Sequence, residues 1–101
     1  MNKETEEKVI AKYEEDEEKM ILVFVQWCIN HDIDSVTLYQ KAYPNQPSNN
    51  KLSAALEHTV PKDEAEQISD DLLMDILDFF GNYDLAQVVY EEINKNKDKE
   101  R

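Results

Sequence analysis

A chain of 101 residues, 41% of them hydrophobic, is long enough for one domain around one core and too short for two. One glycine and three prolines leave few of the tight turns that β-hairpins need, which excludes a β-rich fold, while the abundance of Glu, Lys, Leu, Ala and Gln favours helix. The formal net charge of -12 repels nucleic acid and membrane surfaces and attracts basic proteins.

The first predicted element is one long helix, or two abutting ones, over residues 3–30, with no Gly or Pro to interrupt it. Its second half is the expected centre of the molecule. From Met20 to Ile29 only Gln26 is polar, and a helix apolar on nearly every face must be surrounded by protein. The run is about half of the roughly 20 residues that span a bilayer, and it follows five consecutive acids, Glu14 to Glu18, so it reads as core rather than membrane anchor. Those acids read as a solvated helix face.

Asp34 or Ser35 can cap a second helix, Ser35–Tyr43, which Pro44 ends. The run 44–50 is the clearest loop, after which Ser48 can cap a short helix to about His58. Asp63 and Glu66 form an acidic variant of a capping box for a helix reaching Phe80, and Ser69 is a later possible start. Along it Ile68, Leu72, Leu73, Ile76, Leu77, Phe79 and Phe80 cover about half the circumference, and Gly81 suits the left-handed position that closes a helix. Asn82 or Tyr83 opens the last helix, to about Asn96. The expected fold is therefore all-α: a compact bundle of four to five helices around a central apolar helix, about Glu14–Asn30, with the last two helices an antiparallel hairpin. Residues 1–101 form a single domain, with 1–5 and 96–101 frayed.

Catalytic and metal chemistry find little support. Asn30, Asp32 and Asp34 alternate as calcium ligands do, but the sixth and twelfth loop positions hold Ser35 and Lys41 instead of Gly and Glu, so the three read as helix-end and capping residues. Cys28 and His31 have zinc-ligand spacing without the four ligands that a structural site requires, and a lone apolar Cys28 reads as a buried small hydrophobe. One glycine cannot build a phosphate-binding loop. Residues 35–58 can be drawn as a helix-turn-helix, but the second helix carries only Lys51 against Glu57 and the connecting loop is too long. The expectation is a chain that is not an enzyme, with no cofactor, no metal and no direct nucleic-acid partner. The lack of a signal peptide and the single cysteine point to the cytoplasm.

The functional signal lies in residues 62–92, which hold one Lys against ten acids. On a helical wheel Glu64, Asp71, Asp75 and Asp78 fall on one narrow ridge, and Met74 falls on the polar arc between Asp70 and Asp78, where it would be exposed. Glu64, Asp70, Asp71, Met74, Asp75 and Asp78 are thus the candidate partner-binding residues, their partner a basic protein. Small acidic helical proteins of this kind include bacterial immunity proteins, inhibitors and phage DNA mimics, an analogy of class, and richness in Asn, Lys, Ile and Glu agrees with a bacterial or phage source. The alternative is a self-associating structural or regulatory module joined through Tyr39, Tyr43, Tyr83 and Tyr90.

Overall fold

A computed structural model describes the backbone of residues 3–46 and 50–99 and the side chains of 16–46 and 51–95. It contains five helices, α1 (Lys3–Asn30), α2 (Ser35–Ala42), α3 (Asn50–Glu57), α4 (Asp70–Phe79) and α5 (Tyr83–Lys99), and no strand among the described residues. Ser48 as a cap, and the fraying expected at 1–5 and 96–101, fall outside the described residues or at their limits.

The apolar run does what its composition requires. Met20, Ile21, Phe24, Val25, Trp27 and Cys28 are all buried, with Leu22, Val23 and Ile29 partly so. Because they point in every direction around α1, three elements pack on it: α2, α3 and α4. In turn α5 packs on α2 and α4, adding Leu85, Ala86, Val88, Val89 and Ile93 to one continuous core. The all-α bundle and its closing helical hairpin, α4 and α5, follow the sequence expectation.

Two helix ends are closed by the same device. After α1, Ile33 N–H donates to Cys28 O at 2.8 Å and Asp32 N–H to Ile29 O at 3.1 Å, with Asp32 in the left-handed region at φ 57°. After α4, Asn82 N–H donates to Leu77 O at 2.9 Å and Gly81 N–H to Asp78 O at 3.0 Å, with Gly81 at φ 73°. Both are Schellman closures, with glycine in one and a tolerated aspartate in the other. Asp34 then caps α2, its Oδ1 accepting from Val36 N–H at 3.0 Å and Thr37 N–H at 3.4 Å.

The helix expected from Asp63 begins only at Asp70. Val60 exchanges two 3.0 Å hydrogen bonds with the Gln26 side chain, and Glu66 O accepts from Asn30 Nδ2 at 3.2 Å. These backbone groups are taken by α1, so residues 60–68 cross its end as an irregular strap, and the Asp63/Glu66 capping box does not form. Ser69 is the cap instead, its Oγ accepting from Leu72 N–H at 3.1 Å.

Burial along α4 divides its apolar residues sharply: Leu77 is fully buried while Phe79, two residues on, is 84% exposed. Leu77→Ala is expected to cost about 2–5 kcal/mol of stability, through lost transfer energy and the cavity left behind. Phe79→Ala is expected to cost no more than about 1 kcal/mol, the scale of its edge-on contact with Phe80. Urea unfolding of both variants, followed by circular dichroism, checks the pair.

Candidate functional site

The outer face of α4 gathers most of the residues singled out by sequence, though not all. Asp71, Asp75 and Asp78 are exposed on one side of the helix at i, i+4, i+7 spacing, a row about 10 Å long. Among the described residues no cation pairs with any of the three. Asp71 lies in the first turn, where the helix dipole favours it, but Asp78 lies in the last, against the negative end of the dipole.

Glu64 leaves the ridge, because it belongs to the strap and not to the helix whose periodicity aligned it with Asp71. Met74 is not the exposed side chain expected: it is half-buried and packed against the core. The arc of α4 that α1 and α5 cover is displaced from its apolar arc, so that it takes in Met74 and leaves Leu72 and Phe79 outside. Asp70 has a structural engagement. Its Oδ1 accepts from Trp27 Nε1–H at 3.0 Å and stands 3.9 Å from His31 Nε2. The His31 ring lies over the indole, with centroids 4.5 Å apart, and its Nδ1 is 2.8 Å from Trp27 O.

Sequence reasoning missed the apolar half of the face. Leu72, 50% exposed, and Phe79 stand beside the acid row, although both read as core positions. The signal was available in the width of the apolar arc: half a circumference exceeds the stripe that one neighbouring helix covers. Behind them a groove of about 230 Å³ opens between α1 and α4, lined by Asp16, Lys19, Met20, Val23, Ile76 and Phe80.

A second cavity, of about 340 Å³, lies between α1 and α3 and includes Lys19, Leu22, Lys51 and His58 in its lining. Its Lys51 is paired to Glu17 at 3.3 Å. Burial pushes the Cys28 thiol from 9.0 up to about 12, with the charges of Asp34 and Glu92 adding to the effect, so the thiolate that nucleophilic or metal chemistry needs is suppressed. No cluster of three or more His, Cys, Asp or Glu able to hold a metal occurs among the described residues. None of the described helices is long and apolar enough to cross a membrane. Of the four tyrosines proposed for self-association, Tyr39 and Tyr43 are half-buried against each other at 5.0 Å, and Tyr43 also donates to Asn82 Oδ1 at 3.0 Å. Tyr83 and Tyr90 are exposed.

The model of the YxiS family matches residues 1–94, a span that reaches from α1 into α5. The chain is 48% identical over 93 residues to "Uncharacterized protein YxiS" of Bacillus subtilis (strain 168), an alignment covering 91% of this chain and 97% of that protein. No solved structure matches the chain.

Two outcomes follow from this geometry. Asp70→Ala removes the acceptor of a buried indole N–H and is expected to cost about 1–2 kcal/mol, against about 0.5 kcal/mol or less for Asp71→Ala; urea titration of the fluorescence of Trp27 compares them. For Cys28 the sign is that of an acid whose folded pKa is raised. Its contribution is complete below pH 9.0 and is lost as pH rises toward 12, because the unfolded chain releases the proton first. Over that window wild-type unfolding free energy is expected to fall more steeply with pH than that of Cys28→Ala.

Proposed function

The chain belongs to the YxiS family, and we propose that it is a small, acidic, non-enzymatic protein-binding protein that takes a basic partner on the outer face of α4. The observation that carries this reading is the row Asp71, Asp75 and Asp78 without a paired cation among the described residues, beside exposed Leu72 and Phe79. Like charges at i, i+4 spacing repel, and Asp78 adds an unfavourable dipole interaction, so the fold gains nothing local from holding them there. A local rule broken without internal compensation is what a binding surface produces. A cationic partner would relieve the repulsion and be steered to the face at a rate that falls with salt.

Inhibition of a basic nuclease or nucleic-acid-binding protein, in the manner of an immunity protein or a DNA mimic, is the use that this chemistry fits best, and the cytoplasm is the compartment that a lone buried thiol suits. Self-association is the rival. Tyr83 and Tyr90, an exposed i, i+7 pair on α5, favour it, whereas the net charge of -12 opposes it.

The test compares wild type with the combined variant Asp71→Asn, Asp75→Asn, Asp78→Asn as bait in nuclease-treated host lysate. A basic protein retained at about 50 mM salt and released at about 300 mM is expected with wild type, and its measured affinity should fall at least about tenfold with the variant. Equal affinity of both baits at low salt would refute the assignment of the acid row.

A further inference from the structure

The groove behind the acid row gives the partner a shape. It runs between α1 and α4, with Met20 and Val23 on one wall, Ile76 and Phe80 on the other, and a volume of about 230 Å³. Leu72 and Phe79 extend the apolar surface outward along α4, and on the same helix Asp75, Asp71 and Asp78 follow in angular order. In cross-section the surface therefore passes from an apolar trough, over an apolar lip, to a row of carboxylates. The α1 wall is about two helical turns long, from Asp16 to Val23, and the opposite wall about one turn, from Ile76 to Phe80.

Resting on the protein-binding reading above, the geometry points to a basic amphipathic helix as the occupant of this groove. A helix carries apolar anchors at i, i+3 and i+4, which fit between Met20 and Val23 on one side and Ile76 and Phe80 on the other, and a flanking Lys or Arg then reaches over the lip toward Asp75, the nearest carboxylate of the row. Phe79 serves as the lip against which the guest's apolar face closes. A second copy of this chain is the poorer occupant, because its own net charge of -12 would meet the acid row. An unstructured basic segment would use the carboxylates and leave the trough unfilled.

The probe is a synthetic Leu/Lys peptide with leucines at helical spacing, set against a scrambled isomer of the same composition. Both carry a fluorescent label for anisotropy with the full chain, and backbone amide shifts locate the bound peptide. The helical peptide is expected to bind at least about tenfold tighter than its isomer, with shifts centred on Val23, Leu72, Ile76 and Phe79. Phe79→Ser is expected to remove most of that advantage, while circular dichroism shows the fold retained, as exposure of this side chain requires. Equal binding of the two peptides, no loss with Phe79→Ser, or shifts centred elsewhere would overturn the helix-in-groove assignment. A dimer abolished by Phe79→Ser in sedimentation would overturn it too, giving the groove to a second copy. In each case the acid-row reading survives only if Asp75→Asn with Asp78→Asn still weakens both peptides; indifference to that pair defeats both.

Discussion

The indole nitrogen of Trp27 sets a condition that the rest of the bundle has to meet. The ring is fully buried at the densest point of α1, and an N–H sealed from water without an acceptor costs about 1–3 kcal/mol. Asp70 supplies the acceptor, and in doing so it pins the first turn of α4 over the C-terminal end of α1. The chain must therefore travel from the end of α3 to that point before it can become helical again. Gln26 and Asn30, one residue before Trp27 and three after it, hold the strap that makes the journey. With α4 placed, Gly81 turns the chain back and α5 covers the remaining apolar surface against α2 and α4.

The same placement leaves α4 with more apolar surface than its two neighbours can cover. Packed by α1 on one side and α5 on the other, it buries Leu73 and Leu77, half-buries Met74, and leaves Leu72 and Phe79 outside. The carboxylates lie on this uncovered side. Acidic surface alone explains solubility, and one exposed hydrophobe needs no explanation. Their adjacency, in one helix of about three turns and without intramolecular counterions among the described residues, distinguishes this face from the solvated acids elsewhere.

What the sequence made legible follows from local physics. Met20–Ile29 announced its burial because no helical face was polar, Pro44 announced the end of α2, and Gly81 announced a left-handed closure. Asp34 was one of two possible caps and became the cap. What was hidden depends on partners distant in the chain. The Asp63/Glu66 pattern is a sound local start signal, but Gln26 and Asn30, more than thirty residues away, claim the backbone of the strap. Asp70 looked like one more surface charge, because its role exists only once Trp27 lies beneath it. Met74 and Phe79 exchanged their expected environments, since a helical wheel gives the order of side chains and leaves open where the neighbouring helices sit.

The strap has a further consequence for how the molecule comes apart. Its hydrogen bonds to α1 are made by side chains and exposed to solvent, Lys62 bonds Asp32 in the turn after α1 at 2.7 Å, and Pro61 to Glu64 are all exposed. Water replaces such bonds at little cost, so the exposed part of the strap, residues 60–64, opens more readily than Ile68, which packs on the core, and offers the chain to proteases in the folded state. A cut there separates α1–α3 from α4–α5, and each fragment carries one part of a single apolar core, Phe24, Val25 and Trp27 in the first and Leu73, Leu77 and Val89 in the second. Neither piece can hide its apolar surface alone. The nicked protein is thus a heterodimer held by the interface that was its own interior, and the strap acts as a tether that raises the effective concentration of its two halves.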